Sequence, residues 1–262
     1  MISAFGYAIA HTNKMNPNTY KEAESLIKTA QDVSGLPVRV TWDNELAVGA
    51  MLHLSEADYS KQIRISVNPD RKDIAYLVAS QCMAAIRFYQ QNQEQHLGSK
   101  EGMHELALKA FLDLGYDENK AQSLSAFITK GIGQQLRGMP TQIEIASSIY
   151  RDYPNLRESQ LIYCMNEIES GYQALNLDET KFPKLLLKSH QAMNGAFALI
   201  TDYLYDRSDL FAPYKKHGFD AICTELVGDI TTKTSNSSDN EIVTSWIKRL
   251  ELTDYFVWQS TK

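Results

Sequence analysis

The chain has 262 residues, 44% of them hydrophobic and 22% charged, with a formal charge of −6 and a sequence pI of about 5.6. That size and composition suit a globular protein that buries a substantial core in one domain or two packed subdomains. The acidic balance excludes the global basic footprint that nucleic-acid binding needs, and Lys215 with Lys216 reads as an ordinary solvated pair.

The N-terminal run MISAFGYAIAHTNK is apolar only briefly, with no preceding basic residue and no cleavage signature, so no signal peptide is expected. No stretch reaches the apolar length of a membrane span. The three cysteines, Cys82, Cys164 and Cys223, are widely spaced and form no CxxC pair. They read as reduced, buried thiols in a cytoplasmic protein.

Thr19-Tyr-Lys-Glu22 has capping-box spacing, and the periodicity behind it predicts a helix to Val33, broken by Ser34-Gly35-Leu36-Pro37. Three strands are expected next, at 38–42, 47–54 and 62–67, the last alternating polar and apolar residues as a half-buried strand does. Asn68-Pro69-Asp70 then signals a turn and helix start. Beyond it the pattern is helical: 71–92, 102–113, 118–136, 142–152, 156–175, 183–206, 212–229 and 240–257. Breaks are expected at His96-Leu-Gly-Ser99, Arg137-Gly-Met-Pro140 and Tyr153-Pro154. The polar stretch 231–240 is the best loop candidate, closed by a second capping-box pattern at Ser238-Asp-Asn-Glu241.

This order predicts an α+β protein that is predominantly α. A small N-terminal mixed sheet and a long core helix make a first subdomain, 1–95, and a helical bundle makes a second, 96–262.

The helix at 71–92 carries the sharpest signal. Ile74, Leu77, Val78, Cys82, Ala85, Ile86 and Tyr89 form its apolar stripe, and Ser80 and Ala84 lie one turn apart on its flank. The run Ile63-Arg-Ile-Ser-Val-Asn-Pro69, a short spacer and Tyr76-Leu-Val-Ala79 resemble zincin-like metallopeptidases, in which a strand feeds a helix bearing V-A-H-E-x-x-H. In that register Ser80 stands for the first histidine, Gln81 for the glutamate and Ala84 for the second histidine. Arg87 falls at a position the family often keeps basic. The resemblance continues through Pro140-Thr-Gln-Ile-Glu-Ile-Ala146, where it implies a third, acidic ligand and finds Gln142 and Ala146 instead. The runs Arg151-Asp-Tyr-Pro-Asn-Leu-Arg157 and His190-Gln-Ala-Met-Asn-Gly-Ala196 fit the same pattern. Neither serine nor alanine replaces a histidine on zinc, and a glutamine takes no proton from water. No metal and no cofactor are therefore expected.

Other candidates have plainer readings. His104-Glu105 has Leu108 at the fourth position on, so no HExxH forms, and the pair suits an exposed helix face. His190 lies on the stripe Leu186, His190, Met193, Phe197, Ile200 and Leu204, as a hydrogen-bonded core histidine would. Glu144 sits three residues after Thr141, which is capping-box spacing. Gly131-Ile-Gly133 lacks the third glycine and the strand of a dinucleotide fingerprint. There is no GxSxG elbow.

The leading expectation is a catalytically inactive metallopeptidase-like scaffold that binds a protein or peptide partner in a regulatory or sensing role. Its vestigial cleft would hold Ser80, Gln81, Ala84, Gln142, Glu144 and Ala146. It requires the 71–92 helix to follow a sheet-edge strand, with Ser80 and Ala84 facing a cleft lined from 140 to 150. One alternative is a hydrolase with relocated chemistry, in which at least two of His104, Glu105, Glu144 and His190 converge beside Ser80. Another is a structural or oligomerisation subunit.

Overall fold

The computed structural model describes residues 17–54, 61–90, 95–232 and 239–260. The N-terminal run and most of the polar stretch at 231–240, including Ser238 of its capping box, lie outside the described residues. The chain divides into two compact units, one of residues 1–91 with 158–160, the other of 92–157 with 161–262. The protein is predominantly α-helical with a small mixed sheet.

In the first unit a 3-10 segment, Pro17–Ala23, leads into α1, Glu24–Ser34. Thr19 and Glu22 fall inside that segment, and the N-cap of α1 is Ala23, which makes no side-chain cap. The helix stops at Gly35, whose φ of 69° is the left-handed conformation that glycine adopts without strain, and its N–H closes onto Gln31 O at 2.8 Å.

Strands β1 (Val38–Trp42), β2 (Ala50–His53) and β3 (Ile63–Val67) form a sheet of order β1-β3-β2. β1 runs parallel to β3, from Val38↔Ile63 to Trp42↔Val67, and β2 runs antiparallel, from Ala50↔Val67 to His53↔Arg64. β3 is therefore the central strand. The expectation that an edge strand feeds the long helix is overturned, because Ile63, Ile65 and Val67 are completely buried and both sides of β3 carry a partner.

Asn68 turns the chain, with its Oδ1 accepting the N–H of Asp70 and its Nδ2 donating to Leu46 O. Helix α2, Ile74–Gln90, follows and packs against α1 and the sheet. Its first six residues, Ile74 to Ala79, are all buried. A helix start that is apolar all round belongs in the centre of a unit, not at its surface.

The second unit is built on helices α3 (Met103–Asp113), α4 (Glu118–Asp152), α5 (Arg157–Tyr172), α6 (Lys184–Tyr205), α7 (Ala212–Lys216), α8 (Asp220–Thr231) and α9 (Asp239–Arg249). Their shared core centres on Leu136, Ile143, Met193, Tyr214, Leu226 and Trp246. The Trp246 indole donates to Leu226 O at 3.0 Å, so this large side chain is buried without an orphaned N–H.

Other expectations are corrected here. The break at 137–140 does not occur, and α4 runs unbroken for 35 residues through Pro140. An internal proline costs about 3 kcal/mol. Burying a large aliphatic side chain returns about 1.5–3 kcal/mol, and α4 fully buries Leu136 and Ile143 on either side of Pro140. Packing wins, and Thr141 and Glu144 sit inside the helix instead of forming its cap. The 212–229 helix is two helices, because Gly218 takes φ 83° and lets Phe219 N–H reach back to Tyr214 O, a helix-ending turn.

The last helix stops at Arg249, where Glu251 adopts φ 57° and Leu252 N–H folds back to Ile247 O. The residues beyond it, with the supposed break at 96–99, form an antiparallel pair, β4 (Gln95–Ser99) with β5 (Phe256–Ser260). No helix among the described residues is long and apolar enough to cross a membrane.

Candidate functional site

On α2 the three motif positions are half-buried. Ser80 Oγ donates to Leu77 O at 2.9 Å, so its hydroxyl proton is spent on its own helix. Next to it Cys82 is completely buried, and burial pushes its thiol up to about 12, leaving no thiolate at neutral pH. Ala84 presents only a methyl group.

The other three cleft candidates lie on α4 in the second unit. Gln142 donates through Nε2 to the Tyr163 hydroxyl, Ala146 is 1% exposed and packed in the core, and Glu144 is half-buried. Thus Ser80, Gln81 and Ala84 come together on one helix, and Gln142, Glu144 and Ala146 come together on another. Among the described residues no three His, Cys, Asp or Glu side chains are grouped to hold a metal ion.

A largely apolar concavity lies elsewhere, within the second unit. Along α4, Leu124, Ile128, Gly131, Ile132 and Gln135 recur at three- and four-residue spacing and make one wall. Leu187 and His190 of α6 face it, Phe111 of α3 closes one end, and Leu177 and Phe182 come from the connection between α5 and α6. Its volume is about 360 Å³, within the roughly 300–1,000 Å³ of small-ligand sites. None of the described residues lining it is charged.

The two polar residues in its wall are tied into a ring. His190 Nδ1 lies 2.7 Å from Gln135 Oε1, Gln135 Nε2 donates to Asn194 Oδ1 at 2.7 Å, and Asn194 Nδ2 lies 3.4 Å from His190 Nε2. One arrangement satisfies all three contacts: His190 neutral, Nδ1–H donating to Gln135 and Nε2 accepting from Asn194. Burial holds the imidazole pKa below its ordinary value, which favours the same neutral form. With both nitrogens engaged, His190 has no lone pair left for a metal or a substrate proton.

The two glycines of Gly131-Ile-Gly133 have separate purposes, neither of them phosphate binding. A Cβ on Gly133 would come within 2.9 Å of the Phe256 ring, so the glycine lets β5 approach α4. Gly131 is an exposed residue of the cavity lining, and a Cβ on it would meet nothing within 4 Å. At the rim Phe127 is 79% exposed, an unusual position for a large aromatic side chain, and Leu177 is 39% exposed.

His104 lies on a different depression of this unit, with His96, Lys130 and Arg137. A third concavity is rimmed by Lys184, Lys188, His217 and Glu251, and its Arg249 is engaged by Asp229 and Glu225. His104 and His190 therefore do not share a pocket, and Glu105 and Glu144 line neither of theirs. Sequence reading singled out His190 but passed over Gln135, Asn194, Gly131 and Phe127. The available signal was the α4 stripe, where a glycine and a glutamine interrupt an otherwise apolar row.

Comparison with family models, with curated proteins and with solved structures finds no match for this chain.

Proposed function

We propose that this protein works by binding and not by hydrolysis, with its second unit the holder of the ligand. The role that follows is regulatory or sensing: occupancy of a site in the helical unit reports the presence of a partner molecule. One observation carries the proposal. Among the described residues that line the cavity there is a single histidine, and it is closed into a ring with Gln135 and Asn194. General acid–base catalysis needs a titrating group within reach of substrate and free to exchange a proton. Among the described lining residues the one titratable side chain, His190, has both ring nitrogens engaged, and burial lowers its pKa.

The side chains of α2 support the same reading. Ser80, Gln81 and Ala84 occupy the register in which a hydrolytic zinc would need two imidazoles and a carboxylate, and Ser80 hydrogen-bonds its own helix. Relocated chemistry gains no support, since His104 and His190 sit in separate concavities.

The test uses the purified full chain dialysed against zinc, with metal content and casein hydrolysis measured together. We expect sub-stoichiometric zinc and no hydrolysis above a buffer control. One zinc per chain together with chelator-sensitive proteolysis would refute the proposal.

A further inference from the structure

The walls of the cavity say what kind of molecule it takes. An anionic ligand would surrender its hydration on entering, and the described lining offers no lysine or arginine in return. A cationic ligand would find no carboxylate. An extended peptide brings an N–H and a C=O with every residue, and an apolar site leaves most of them unpaired. The polar capacity that remains belongs to Gln135. Its Oε1 accepts one hydrogen bond from His190 and its Nε2 gives one of two hydrogens to Asn194, so one lone pair and one N–H stay free.

Depth and mouth agree with this. Gly131 lines the cavity without adding a side chain to it, and Phe127, also in the lining, offers an exposed ring for a flat apolar molecule to cover.

We propose that the cavity between α4 and α6 is a binding site for a small uncharged molecule, mainly hydrocarbon or aromatic, whose single hydrogen-bonding group meets Gln135. This rests on the binding role argued above and names its ligand class.

The probe is N-phenyl-1-naphthylamine, a neutral dye that brightens in apolar surroundings, compared with 1-anilinonaphthalene-8-sulfonate, the same skeleton with a negative charge. On the full chain the neutral dye is expected to bind at one per chain, with the sulfonate at least about tenfold weaker. Gly131→Leu, which fills the cavity, should weaken the neutral dye at least about tenfold, and Gly138→Leu, on an open face of the same helix, should leave it unchanged. Thermal melts accompany both variants, and Gly131→Leu should melt no lower than wild type, since leucine is the better helix former. The comparison of the two dyes on wild type needs no variant at all.

Equal affinity for the two dyes, unchanged binding in a folded Gly131→Leu, or no uptake of the neutral dye by wild type would overturn the assignment. None of these results bears on hydrolysis, which the zinc and casein measurement decides separately.

Discussion

Arg71→Met should destabilise the first unit by about 3–5 kcal/mol, the usual cost of stripping a buried charge of its partner. Asp73 immediately precedes α2 and is 0% exposed, and Arg71 grips it in two parallel bonds, Nε to Oδ1 at 2.8 Å and Nη2 to Oδ2 at 2.6 Å. Arginine's planar fork matches a carboxylate in this geometry, which a lysine does not reproduce. Methionine keeps much of the volume and removes the charge, leaving Asp73 in the interior with nothing to replace its lost water. The double variant Arg71→Met/Asp73→Leu should recover most of the loss, because removing both charges removes the desolvation problem as well. Urea unfolding of the three proteins checks this. A single variant as stable as wild type would show that the pair is not the support of the α2 entrance.

Asp202→Ala should cost about 2–6 kcal/mol, from two buried backbone donors left unpaired at roughly 1–3 kcal/mol each. Asp202 is 4% exposed near the end of α6, and its carboxylate accepts the N–H of Leu210 at 3.2 Å and of Phe211 at 2.9 Å. The Tyr172 hydroxyl donates to Leu210 O at 2.6 Å, so both backbone groups of Leu210 are satisfied by side chains. This clamp fixes the turn through Asp206, at φ 51°, that carries the chain from α6 into α7. Thermal or urea unfolding monitored by helix content is the check. A change below about 0.5 kcal/mol, typical of surface substitutions, would mean the turn holds without the carboxylate.

How far the sequence revealed this structure depends on the range of the interactions involved. β1 was legible to the residue because Val38-Arg-Val-Thr-Trp42 alternates locally, and α6 was legible because its stripe repeats over six turns. β4 and β5 were not. Gly98 pairs with Val257 across most of the second unit, and neither short strand declares itself without the other. The continuity of α4 was hidden for a related reason: a proline argues locally for a break, and only the burial of Leu136 and Ile143 overrules it. The break at Gly218 was legible in principle, since Lys215-Lys-His217 before a glycine is the composition of a helix end.

The candidate site divides in the same way. Ser80, Gln81 and Ala84 are read directly from the sequence, and the structure adds that Ser80 bonds within its own helix. His190 was readable as a hydrogen-bonded histidine on an apolar stripe. Its main partner, Gln135, is 55 residues away on another helix, beyond any local pattern. The cavity itself draws walls from α3, α4, α6 and the connection before α6, so no single segment carries its signature.

Backbone hydrogen exchange of the full chain, with and without N-phenyl-1-naphthylamine, tests the central claim most directly. Ligand in the cavity predicts slowed exchange confined to the segments that line it, around Phe111, residues 124–135 and residues 177–190. Slowing across 74–90, or none anywhere, would contradict it.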